Sequence, residues 1–220
     1  MDVKNVALVI VDIGGYTEFI KFHKDSLVHA HEVISQLLEN IVDNAAFPLV
    51  LNKFEGDAAL MYAVVGDDET AAARDIARQV FELFPAFKAK AVSLSNERSF
   101  CPCEACQNIR GLRLKAIVHK GTAAFRTIRQ FEEMAGEDVI LAHRLLKNGV
   151  REPEYVLMTD AFFALLDAET ARHARPISER YEHIGTVGLK VFSLSADGAI
   201  VPGSHNGDNW WRRLWGGRAR

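Results

Sequence analysis

Cysteine is scarce and oddly placed: the chain has three, all inside CPCEAC at residues 101–106. Such clustering excludes a disulfide framework spread through the fold and makes metal binding the natural role in a reducing compartment. Long apolar runs are missing as well. The N-terminal MDVKNVALVIVDIGG holds an aliphatic stretch too short to span a bilayer, and no cleavage-site pattern follows it. That excludes a signal peptide or membrane helix at this end and points to a cytoplasmic protein. No excess of one charge exists either: the formal net charge is -3, with acids and bases interspersed, so the chain lacks the electrostatic footprint of a nucleic-acid binder.

What the sequence does hold is a core. About half of its 220 residues are apolar, enough for one substantial domain. Residues 6–12 form a Val/Ile/Leu run of strand length, suited to a strand covered on both faces. Gly14-Gly15 then breaks the strand, and apolar spacing from Thr17 to Asn44 predicts one or two amphipathic helices. PLVLNKFEGDAALMYAVVG, 48–66, reads as a hairpin with Glu55-Gly56-Asp57 at its tip. Residues 67–94 open with acids and continue on a helical period. SNERSFCPCEACQNIR, 95–110, follows neither period and reads as an inserted loop. LRLKAIVHKGTAAF, 112–125, reads as a second hairpin turning near Gly121, and 131–148 as a helix preceded by glycine. A strand leading into a short helix follows at EYVLMTDAFFALL, and two closing strands at YEHIGTVGLKVFSLSA. The pattern is α+β with one antiparallel-rich sheet. It predicts a domain over 1–196 with the insertion at about 95–110, and a Gly-rich, Trp/Arg tail over 197–220.

Asp12 ends the first strand and Asp57 sits in the first hairpin. If the two pair side by side, both carboxylates project at one sheet edge. Hard oxygen donors of this kind suit Mg²⁺ or Mn²⁺, which complete their shells with substrate phosphates. The backbone of Ile13-Gly14-Gly15 offers a carbonyl and lets a phosphate chain approach unobstructed.

These segments resemble class III nucleotidyl cyclases. VDIGGYTEF resembles their first-strand signature, including Gly14, Gly15, Tyr16 and Thr17. LNKFEGDAALMYA resembles their K-x-x-G-D hairpin, LRLKAIVHKG the strand ending in I-H-x-G, and AGEDVILAHRL the glycine and helix that carry the catalytic asparagine and arginine. YEHIGTVGLKVFSLS is similar to the closing strand pair. The resemblance spans about residues 5–195 and is closest to a poorly characterised bacterial cyclase-like group with a Cys-x-Cys-x-x-Cys loop. It implies a ferredoxin-like βαββαβ core with extra strands and helices. It also implies two metal ions held by Asp12, Asp57 and the Ile13 carbonyl, with Lys53 and Glu133 reading the base of ATP or GTP. Arg144 is then the transition-state arginine. The expected asparagine is replaced by Ile140, which cannot hydrogen-bond a ribose. Because the family's site lies between two head-to-tail domains, a homodimer is implied. The resemblance thus leaves two functions: a nucleotidyl cyclase of reduced or altered activity, or a catalytically inactive regulatory or scaffold module with a zinc- or redox-responsive cysteine loop.

Local chemistry also offers plainer roles. Asp12 can cap a helix, Lys53 can guard an edge strand, and Arg144 can pair with Glu137 or Asp138. Cys101, Cys103 and Cys106 suit Zn²⁺ but need a fourth ligand. His119 on the following strand is the nearest candidate by sequence, with His23 or a second chain more remote. His29 and His31, two apart on one helix, face different directions and read as surface positions. WWRRLWGGRAR suits an anionic membrane or a partner, and equally a disordered or dimer-packing tail.

Overall fold

A computed structural model describes residues 2–16, 19 and 24–195. Thr17, His23 and the 197–220 tail lie outside the described residues. The chain forms β1 (Asp2–Gly14), α1 (Lys24–Asp43), β2 (Val50–Glu55), β3 (Ala58–Val64), α2 (Glu69–Glu97) and α3 (Glu104–Asn108). It continues with β4 (Arg113–Ile128), β5 (Phe131–Ala135), α4 (Glu137–Arg144), β6 (Tyr155–Thr159), α5 (Asp160–Phe163), α6 (Ala168–Ala171), β7 (Arg175–Tyr181) and β8 (Gly185–Ser193). The strands make one sheet in the order β2-β3-β1-β4-β6-β8-β7, with β5 paired to β4. Among the described residues no helix is long and apolar enough to cross a membrane.

Strand β1 is central, antiparallel to β3 on one side and to β4 on the other. Its continuous aliphatic run follows from cover on both faces. Val9, Val11 and Ile13 join the core beneath α1 and α2, whereas Val6, Leu8 and Ile10 join the core against α4. Side chains alternate along a strand, so Asp12 belongs with the even set, on the α4 face. Asp68 caps helix α2, its carboxylate accepting from the Ala71 N–H at 2.9 Å and satisfying a donor the helix leaves open.

Three sequence expectations are corrected. Gly121 does not turn a hairpin; it lies inside β4, which runs unbroken to Ile128 and turns back only into β5. The glycine serves close approach instead, because a Cβ there would overlap the Asp138 carboxylate of α4. The segment 131–135 is accordingly the strand β5, and the helix starts only at Glu137. Helix α2 also continues to Glu97, so the irregular insertion is shorter than the periodicity indicates.

Candidate functional site

Register brings Asp12 opposite Ala58 of β3 and Lys115 of β4. The two-residue turn between β2 and β3 places Asp57 beside it, and the Ile13 N–H donates to the Asp57 carbonyl at 3.1 Å. That bond fastens the hairpin tip to the end of β1. Asp12 to Tyr16, Asp57 and Lys115 line a cleft of about 560 Å³. Gly15 has φ +90, a conformation that side chains disfavour, so the chain can leave the strand sharply there.

Two carboxylates set the electrostatics of the cleft. Burial, and then the neighbouring Asp12 carboxylate, raise the Asp57 pKa. Lys115 Nζ lies 2.7 Å from Asp12 Oδ2. Burial opposes the Lys115 charge, but Asp12 outweighs it and holds the ammonium above its ordinary pKa. Two carboxylates and one ammonium therefore share a partly buried edge with negative charge to spare. Oxygen donors in that arrangement fit a hard divalent cation.

A second group lies where β5 folds back beside β2. Lys53 Nζ donates to Glu133 Oε2 at 3.1 Å, with both side chains about two-fifths exposed. The β2 ladder shifts register between Leu51 and Lys53. Two further bonds fasten β5 here: Asn52 Nδ2 of β2 donates to the Glu132 carbonyl at 3.2 Å, and the Tyr62 hydroxyl of β3 donates to Glu132 Oε1 at 2.8 Å. Burial, followed by Glu132, pushes the Tyr62 phenol up to about 12, so this donor keeps its proton. Lys53 and Glu133 do not line the Asp12 cleft of their own chain.

Helix α4 lies on the same face. Ile140 is 54% exposed, and Arg144 Nη1 donates to the Glu182 carbonyl at 3.0 Å. Arg144 thus pairs with the β7–β8 turn, while Asp138 takes a different role. The Thr122 N–H donates to Asp138 Oδ2 at 2.6 Å, and His119 Nε2 lies 3.0 Å from Asp138 Oδ1. The carboxylate occupies the stretch of the β4 edge between its pairing to β6 and its pairing to β5. His143 Nδ1, 3.2 Å from Glu55 Oε2, ties the helix to the β2 end.

His119 is the clearest correction among the metal candidates. It is buried, with Nδ1 2.9 Å from the Thr159 hydroxyl and Nε2 on Asp138, and does not reach the cysteines. Strand alternation explains this: His119 shares the face of Ile117 and Lys115, whereas the cysteine loop packs against the α1–α2 side. The histidine beside the cysteines is His29 of α1, whose Nδ1 lies 3.4 Å from Cys101 Sγ, 3.4 Å from Cys103 Sγ and 3.7 Å from Cys106 Sγ. His31 instead contacts Ser35 at 3.1 Å. Burial opposes the Cys103 thiolate, but the Cys106 backbone N–H, His29 and Cys101 together bring its pKa down to about 6. His29, expected from its spacing to be a surface residue, is instead partly buried against the sulfurs, and no spacing links it to residues more than seventy positions away. Sequence inspection also missed Lys115, whose only signal is its alternation with Ile117 in a strand facing Asp12.

Sheet order, central β1 and the α4–β5 arrangement define the class III nucleotidyl cyclase fold. The adenylyl cyclase CyaB from P. aeruginosa superposes with a TM-score of 0.62 at 16% identity, covering 89% of this chain and 97% of that one. The guanylyl cyclase Cya2 gives 0.58 at 11% identity, covering 88% and 94%. Within that fold, the chain belongs to the family described as "Protein of unknown function (DUF2652)", whose model matches residues 34–155. It is also 32% identical over 162 residues to the uncharacterized protein Rv2561/Rv2562 of Mycobacterium tuberculosis, covering 74% of each chain.

Proposed function

We propose that the protein binds a purine nucleoside triphosphate together with Mg²⁺ or Mn²⁺, at a site completed by a second copy of the chain. The observation that carries this reading is the convergence of Asp12, Asp57 and Lys115 on the cleft behind Gly14-Gly15. Asp12 and Asp57, with the Ile13 carbonyl, would hold the cations. When bound, such ions neutralise phosphate charge and lower the pKa of a coordinated hydroxyl. The glycine backbone leaves room for the phosphate chain, and Lys115 is placed to donate to a phosphate oxygen. From the partner copy, Lys53 donates to the base and Glu133 orients it, while Arg144 stabilises charge on the transferring phosphoryl group. In a cyclase the 3′-hydroxyl would attack the α-phosphorus in line, expelling pyrophosphate.

Calorimetry with ATP and GTP in Mn²⁺, on protein shown to be dimeric, tests the binding. Binding that disappears in Asp57→Asn supports it, and no binding by the dimer overturns it. A second reading, a regulatory module that binds without turnover, is favoured by Ile140, which supplies no hydrogen bond at an exposed position of α4. Product analysis separates the two, because a cyclic nucleotide lost in Asp57→Ala means catalysis.

A further inference from the structure

We infer that His29, Cys101, Cys103 and Cys106 form a structural Zn²⁺ site, independent of the nucleotide reading. The four ligand atoms lie within 4.8 Å of one another, and Cys101 Sγ is 3.4 Å from Cys103 Sγ. Tetrahedral zinc with ordinary Zn–S and Zn–N bonds places sulfurs about 3.8 Å apart and sulfur to nitrogen about 3.6 Å apart. The His29 distances of 3.4, 3.4 and 3.7 Å fall around that value. One ion therefore needs only small adjustments in position.

The surroundings supply hydrogen-bond donors to the sulfurs. Cys103 caps α3, its sulfur accepting the Cys106 N–H at 3.4 Å, so the Cys-x-x-Cys turn already supplies amide donation to a sulfur. Arg98 pairs with Glu32 of α1 at 2.9 Å, and its guanidinium interacts favourably with the Cys106 sulfur. Three thiolates around Zn²⁺ leave one negative charge, and Arg98, shared with Glu32, brings a positive charge near it. Cys106 is 2% exposed, and three cysteines with one histidine make a closed donor set of the structural kind. A disulfide would use two of the sulfurs and leave the third beside the imidazole with no reason for the convergence.

The ion would join two segments that neighbour, in sequence, the strands carrying the Asp12 cleft. His29 is on the helix that follows β1, and the cysteines precede β4, which carries Lys115. Leu112, at the end of the cysteine segment, lies 3.9 Å from the position a Gly15 Cβ would take. Zinc would fasten α1 to the cysteine segment, whose Ala105, Ile109 and Leu112 already pack into the core.

Elemental analysis of full-length protein, purified with reductant from zinc-supplemented cells, tests the site. The expected result is about one zinc per chain. Cobalt substitution of the unmutated protein should give thiolate charge-transfer bands and intense tetrahedral d–d absorption. His29→Cys should keep the metal and shift those bands toward a four-thiolate spectrum, while Cys103→Ser loses it. Metal-free protein under these conditions, or a cobalt spectrum unchanged by His29→Cys, overturns the assignment. These readouts do not require nucleotide binding, so their failure is distinct from failure of the cyclase-like reading.

Discussion

Lys53 and Glu133, eighty positions apart, meet at 3.1 Å across the gap between β2 and β5. Each side chain is about two-fifths exposed, and an ion pair so open to water contributes about 0–1 kcal/mol to folding. Its function is better sought in a ligand. Lys53→Met is expected to leave the melting temperature nearly unchanged while weakening nucleotide binding about 10-fold or more, the value of one charge-assisted hydrogen bond. Calorimetry beside thermal unfolding checks both halves. Equal loss of stability and binding would make the pair structural.

Asp57 carries a pH-dependent prediction. Burial and Asp12 raise its folded pKa above the unfolded value, so the folded state binds more protons between the two. Its stabilising effect is therefore present in acid and lost as pH rises through the folded pKa. At neutral pH the charged group opposes folding. Asp57→Asn should raise the metal-free melting temperature by about 2 °C, a modest figure because the group is partly solvated. The same substitution should abolish stabilisation by Mn²⁺ and nucleotide. Thermal scans with and without both ligands give the comparison.

Ile140→Asn is a gain-of-function test. Ile140 is 54% exposed, so the change should shift stability by less than about 0.5 kcal/mol. An added donor that positions the ribose should raise cyclic-product formation about 10-fold or more. Chromatography of reactions with each nucleotide and Mn²⁺ checks it. No rise in a variant that still binds nucleotide would favour the non-catalytic reading.

The His119–Asp138 pair should govern acid stability. Asp138, when ionised, only accepts, so the His119 Nε2–H donates to it and Nδ1 accepts from the Thr159 hydroxyl. Burial lowers the His119 pKa despite the nearby carboxylate. The unfolded chain therefore takes up this proton first, and stability falls as pH drops below about 6.5. Asp138 adds to the loss at lower pH. Burial raises it, but the Thr122 N–H and His119 more than compensate and hold its pKa down, so its contribution disappears as pH falls through that lowered value. Asp138→Ala should cost about 2–4 kcal/mol by leaving the imidazole and the Thr122 N–H unpaired. Urea unfolding at several pH values measures both effects, and the variant should lose the carboxylate part of the acid slope while keeping the His119 part, which Asp138 no longer opposes.

Much of this was legible in the chain. The aliphatic run 6–12 marked a strand with two covered faces, and Asp12 and Asp57 could be placed at one sheet edge because strand and hairpin signals are local. The Lys53 and Glu133 positions followed from the cyclase resemblance. Gly121 was misread because glycine serves equally for a turn and for close approach, and only the crossing of Asp138 over β4 distinguishes them. Lys115 lay in an unremarkable strand until register put it opposite Asp12.

Local pattern by itself determined the central strand, the carboxylate at its end, and a cysteine loop with metal-binding chemistry. Tertiary structure alone decided which histidine joins that loop. His119 is nearer in sequence, yet pleat alternation turns it to the opposite face of the sheet, where Asp138 holds it. His29 reaches the sulfurs because α1 packs on the side of the sheet where the loop lies. Long-range choices of this kind depend on which face each element buries, and nothing in the spacing of the ligands records it.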